Sequence, residues 1–150
     1  MPEPHRDNRA VPAFVITPRS LGELSAIRYR FATARRGDGD DLLVVTFAGA
    51  YGVGSSGNGD ALFMRAVIGL ALRAFAPAGV VLDLRELDYR WGDMMASVLN
   101  DAIVGGVAPA VVVSDACRKA LTSLVTDELG EDPGDRLFDG LDDALHAVHR

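Results

Sequence analysis

Residues 79–97 read Gly-Val-Val-Leu-Asp-Leu-Arg-Glu-Leu-Asp-Tyr-Arg-Trp-Gly-Asp-Met-Met-Ala-Ser. The run Val80-Val81-Leu82-Asp83-Leu84 is short, β-branched and bounded by Gly79, which predicts a buried strand. Farther on, Met94, Met95, Val98, Leu99, Ala102 and Ile103 share one helical face while Asp93, Ser97, Asn100 and Asp101 share the other. The spacing predicts a helix from about Asp93 to Val104, ended by Gly105-Gly106. Between strand and helix lies a polar, aromatic loop, and such junctions are where α/β domains usually place function.

Upstream, Leu42 to Ala48 is continuous enough to be a central strand, and residues 60–75 form a helical pattern that Pro77 and Gly79 close. Its non-apolar positions Arg65, Gly69 and Arg73 fall four apart and define one narrow stripe, so a largely buried helix is expected. With Val80 to Leu84 this makes a β-α-β unit with the right-handed crossover such units adopt. Ile27, Tyr29, Phe31 and Thr33 alternate with Arg28, Arg30 and Ala32, a half-buried strand that the turn at residues 35–41 makes antiparallel to the next. Phe14-Val15-Ile16-Thr17 predicts a further short strand stopped by Pro18.

Downstream, Ala110 to Val113 is a strand and Asp115 a helix cap, with Cys117, Ala120, Leu121 and Leu124 turned inward. Residues 131–135 are a turn, and Arg136-Leu137-Phe138 a short strand. A last helix buries Leu141, Ala144, Leu145 and Val148. Early strands followed by strand-helix alternation indicate an α/β fold: a mixed β-sheet with helices packed against it. Residues 1–12, with three prolines and a run of charges, are expected to be a disordered tail, and residues 13–150 one domain.

Composition narrows the function. Fifteen basic against 21 acidic residues, with Lys119 the only lysine, give a net charge of −6, which does not attract phosphate backbones or anionic lipid. Neither nucleic acid nor membrane is an expected partner. Without a long apolar run or a signal-peptide core, a soluble, cytoplasmic protein is expected. Cys117 is the single cysteine, which excludes an internal disulfide, and its setting suits a small buried hydrophobe better than a reactive thiol. His146 and His149 could reach one metal ion, but no second cluster supplies further ligands, and no metal or other cofactor is expected.

Two stretches carry the functional candidates. Gly52, Gly54 and Gly57 match the G-x-G-x-x-G spacing between a strand and a helix, with Asp60 placed to cap that helix, so the loop from Gly49 to Gly59 could bind a nucleotide or anion. The plain alternative is a flexible loop. Asn58 and Gly59 stand where a P-loop needs lysine and a hydroxyl, which excludes ATP hydrolysis by that route. The second stretch is Asp88, Tyr89, Arg90, Trp91, Gly92 and Asp93, with Ser97 a turn into the helix. An aromatic-arginine pair on a loop suits a protein interface, whereas a tryptophan folded back over the core, with Asp93 as helix cap, is the structural reading.

The order of elements over residues 26–149 resembles STAS domains, the family of anti-sigma-factor antagonists and sulfate-transporter tails. Val44-Val45-Thr46-Phe47-Ala48-Gly49 is similar to the family's strand ending in glycine, and Val80 to Leu84 to its apolar-Asp-Leu strand. Pro109 to Ser114 resembles the fourth strand, and Leu137-Phe138-Asp139-Gly140-Leu141-Asp142-Asp143-Ala144-Leu145 the closing strand and helix. The resemblance implies a non-enzymatic bacterial signalling module that binds a protein partner such as an anti-sigma factor or kinase. In the antagonist branch a serine or threonine opening the helix after the apolar-Asp-Leu strand is phosphorylated. Here Trp91 and Gly92 stand at the corresponding Asp-Ser pair, followed by Asp93, so the hydroxyl is missing. Shifted by one, Asp93 takes the acceptor position with a fixed charge, a weak imitation of a phosphate of about −2. Ser97 is a poor substitute. A STAS fold kept as a scaffold or homodimerisation unit, joined through Met94, Met95 and apolar edge strands, is the remaining alternative.

Overall fold

The computed structural model describes residues 13–149 together with Met1, Pro2, Pro4 and Val11. The tail expected at residues 1–12 otherwise lies outside the described residues.

Five strands form one mixed sheet in the order β1 (Arg28–Ala34), β2 (Leu42–Ala50), β3 (Gly79–Asp88), β4 (Ala110–Val112) and β5 (Leu137–Phe138). Strand β1 is antiparallel to β2, as the intervening turn predicts, and the remaining pairs are parallel. The mixed α/β sheet expected from the sequence is the one observed. Helices α1 (Asn58–Phe75), α2 (Met95–Asp101), α3 (Arg118–Ser123) and α4 (Leu141–Val148) complete the fold, with a π-helical turn, Leu124–Glu128, extending α3.

Strand alternation divides the core. Leu43, Val45, Phe47, Val80, Leu82, Leu84 and Val111 turn toward α1, α2 and α3, whereas Leu42, Val44, Val81, Ala110 and Val112 turn toward Ala144 and Val148 of α4. Burial on both faces explains the near-continuous apolar runs of β2 and β3.

Strand β3 is longer than its apolar run. Thr46 faces Asp83 and Ala48 faces Glu86, so β3 carries one extra residue in a bulge. The bulge resets the alternation: Leu82 and Leu84 point to the helical core before it, and Leu87 and Tyr89 after it. Arg85 and Glu86 made this stretch look like loop, and the strand instead continues through them to Asp88.

Four other expectations are corrected. Residues 14–17 form no strand, because the segment pairs with none of the described residues. Helix α1 buries Phe63, Met64, Val67 and Ile68 but exposes Leu62 and Leu70, since its outer side has no layer above it. Helix α2 starts later than expected: Met94 is its N-cap, and Asp93 precedes it rather than capping it. Cys117, not Asp115, is the N-cap of α3, while the Ser114 hydroxyl accepts from the Ala116 amide.

Candidate functional site

Two loops at the ends of β2 and β3 are joined to each other. The Tyr51 amide donates to the Asp88 carbonyl at 2.9 Å and the Gly54 amide to the Trp91 carbonyl at 3.1 Å, with Gly54 and Gly92 forming an isolated parallel bridge. The pairing of β2 with β3 is thus continued into the loops.

The glycines make this closeness possible. A methyl group on Gly54 would stand 2.3 Å from Cζ3 of Trp91, and φ at that residue is +63°, so the indole lies directly against a position only glycine fits easily. A methyl on Gly57 would meet Cε1 of Tyr51 at 2.3 Å, and one on Gly92 the same atom at 2.5 Å. Tyr51 itself is buried and meets Tyr89 edge-on, with ring centroids 5.1 Å apart.

This geometry corrects the nucleotide reading of Gly52, Gly54, Gly57 and Asp60. Aromatic rings fill the space beside Gly54 and Gly57, and a methyl on Gly52 would lie 2.6 Å from the Ser56 carbonyl oxygen. The Gly52 amide, which a phosphate would need, donates at 2.8 Å to the carboxylate of Asp60. Asp60 also accepts from the Ser25 hydroxyl, and the helix N-cap is Gly57. The chain's own carboxylate therefore takes the anion position. Asp83, which stands where a dinucleotide fold would place an acidic residue at the end of the next strand, lies on the α4 face of the sheet, gripped by Arg85 at 2.9 and 2.8 Å. Burial pushes its pKa up, but the hydrogen bonds and charge of Arg85, with Arg30 beyond, outweigh that and hold it below the usual aspartate value.

The β3–α2 loop, residues 89–94, is held on its other side by the start of α3. The Tyr89 amide donates to the Ala116 carbonyl at 3.2 Å, the Ser114 hydroxyl to the Arg85 carbonyl at 2.7 Å, and the Cys117 thiol lies 3.3 Å from the Leu84 carbonyl. Burial raises the Cys117 pKa, which suits the inert core role expected of it.

The candidate residues separate accordingly. Trp91 is 58% exposed, Arg90 and Asp88 are exposed and 3.6 Å apart, and Asp93 is exposed. Tyr89 is only 3% exposed, and its placement among surface contacts is corrected: the bulge in β3 turns its ring into the core. Burial pushes its phenol up to about 12 and that of Tyr51 higher still. Gly92 is buried against Tyr51, and Ser97 is half-buried in α2. Met95, expected at a dimer contact, is wholly buried and unavailable for one.

Beside the loop runs a groove of about 660 Å³ between Asp88, Arg90 and Trp91 on one wall and Asp115, Lys119, Ser123, Asp127 and Glu128 on the other. The π-helical turn supplies the last two of these residues. The tryptophan wall of the groove and its acidic side chains were not jointly legible in the sequence, because α2 and β4 separate α3 from the β3–α2 loop along the chain.

A solved structure described as an anti-sigma factor antagonist from Mycobacterium paratuberculosis superposes with a TM-score of 0.55, covering 81% of this chain and 94% of that one at 22% identity. The fold is STAS-like. That agrees with the resemblance drawn from the order of strands and helices. No family model matches the chain, and no curated protein matches it. Among the described residues, no helix of this STAS-like fold is long and apolar enough to cross a membrane.

Proposed function

We propose that this chain is a non-enzymatic regulatory module that binds a protein partner through the exposed part of the β3–α2 loop, Asp88, Arg90, Trp91 and Asp93, and the groove beside it. The observation that carries the reading is Trp91: more than half of its large apolar ring is exposed, on a loop pinned from both sides by hydrogen bonds. A solvent-facing tryptophan on a rigid support loses little entropy on binding, the character of an interface anchor. The perturbed groups around it, Tyr51, Tyr89 and Cys117, are all shifted away from ionisation near neutral pH, which suits a binding surface rather than acid-base or nucleophilic chemistry.

The STAS-like fold and its likeness to an anti-sigma factor antagonist point to an anti-sigma-factor-like or kinase-like partner. In this reading the complex forms without a serine phosphorylation switch, since residues 91–93 carry no hydroxyl and Ser97 lies half-buried within α2. A cytoplasmic location follows from that role.

The test is affinity capture from the native cell with immobilised wild type and Trp91→Ala. One or more proteins retained by the wild type and lost with the variant are expected. Incubation of the captured complex with Mg-ATP should leave residues 88–97 unphosphorylated by mass spectrometry. Equal recovery of every protein on both resins would refute the surface, and phosphate on Ser97 would refute the absence of the switch.

A further inference from the structure

An apolar arm and an apolar edge both lack partners among the described residues. Phe14, Val15 and Ile16 are 100%, 90% and 89% exposed, so their side chains touch almost nothing of their own molecule. Three consecutive strand-forming hydrophobes in water are unusual beside a chain that buries its other apolar runs. The arm leaves the body through a braced exit. The Ser20 hydroxyl accepts from the Gly22 amide at 3.1 Å, Glu23 accepts from the Ser20 amide at 3.1 Å, and Arg19 pairs with Glu23 at 2.8 Å.

Strand β1 is the edge of the sheet and, among the described residues, pairs only with β2, so alternate backbone N–H and C=O groups face outward. Toward α1 it presents an aromatic row: Tyr29 and Phe31 are 5.2 Å apart, Tyr29 meets Phe63 at 5.9 Å, and Phe31 meets Phe75 at 5.8 Å. Tyr29 and Phe75 remain 46% and 44% exposed. On α1, Leu70 lies two turns beyond Phe63 on the same side and is also exposed.

We infer that residues 13–17 of one copy add as a strand to the β1 edge of a second copy, the exchange being reciprocal and giving a symmetric dimer. In an extended arm Phe14 and Ile16 fall on one face and Val15 and Thr17 on the other. Phe14 and Ile16 then extend the aromatic row of Tyr29 and Phe31, while Val15 lies beside Ala32 on the opposite face of the sheet. Main-chain hydrogen bonds supply the pairing and the alternate side chains its register. The second copy is the occupant because the arm stands clear of its own β1, and because one chain carries both complementary elements, which a two-fold axis satisfies together.

The test combines light scattering with cross-linking on the full chain. Wild type is expected to be a dimer, and Phe14→Ser/Ile16→Ser to associate at least about tenfold more weakly, with an unchanged circular dichroism spectrum and with a melt that matches wild type once both are diluted to monomer. Chains carrying Val15→Cys mixed with chains carrying Ala32→Cys should give a heterodimeric adduct with a short bismaleimide, the buried Cys117 contributing none. A monomeric wild type, a dimer indifferent to the two serines, or a Val15→Cys/Ala32→Cys chain that cross-links only within itself would each overturn the inference.

Discussion

Replacing Gly92 with alanine should destabilise the protein through a single contact. The added methyl would stand 2.5 Å from Cε1 and 3.3 Å from Cζ of Tyr51, well inside van der Waals distance. Gly92 does not have a positive φ, so alanine is tolerated by the backbone and the cost is steric. Tyr51 cannot swing away, because it is 4% exposed and held edge-on against Tyr89. Overpacking of this kind costs about 1–3 kcal/mol. For a chain of this size that lowers Tm by roughly 3–10 °C in differential scanning calorimetry. The diagnostic step is a double-mutant cycle with Tyr51→Ala, which opens the space the methyl needs. In that background Gly92→Ala should be close to neutral, giving a coupling of roughly 1–3 kcal/mol. A Gly92→Ala variant as stable as wild type, or one equally costly with and without the Tyr51 ring, would refute the packing of these two loops.

Other positions give opposite or conditional effects. Gly69 sits within α1, and a methyl added there would find no neighbouring atom within 4 Å, so Gly69→Ala should stabilise by about 0.5–1 kcal/mol in chemical denaturation, and a loss of stability would contradict the open outer side of α1. Asp83→Asn should cost about 1 kcal/mol at neutral pH, a value reduced from that of a buried charged hydrogen bond because Arg85 is partly in water. The folded pKa of Asp83 lies below its unfolded value of about 3.9, so its stabilisation is present above that pH and lost as pH falls through the folded value. Denaturation curves of wild type and Asp83→Asn should therefore converge below about pH 4, and a gap that persisted or widened there would refute the Asp83–Arg85 pairing.

Most of the sheet was legible because each strand announced itself locally. The alternation of Tyr29, Phe31 and Thr33, the two-sided burial of Leu42 to Ala48, and the turn between them decide the antiparallel edge and the central strand without reference to distant residues. What escaped was whatever depended on contacts across the fold. The end of β3 looked like loop because a bulge, not local preference, returns Leu87 and Tyr89 to the core. The spacing of Gly52, Gly54 and Gly57 suggested a phosphate cradle, although the same absence of side chains serves the Tyr51 and Trp91 rings. Position in sequence placed Asp60 and Asp93 as helix caps, but Asp60 is engaged by the Gly52 amide and Asp93 falls just outside α2. Within the candidate site, Trp91 was identifiable as the lone tryptophan on a polar loop, whereas the opposite wall of its groove was not, since only the folded sheet brings α3 beside that loop.

Because Trp91 is the only tryptophan, it also reports on the central proposal directly. The protein labelled with 5-fluorotryptophan would be titrated with a protein recovered by affinity capture, and its one fluorine resonance followed by NMR. A shifted resonance with reduced access to solvent in the complex is the result expected of an anchor buried by the partner. A resonance unchanged in position and accessibility at saturation would contradict the claim that the partner docks on this loop.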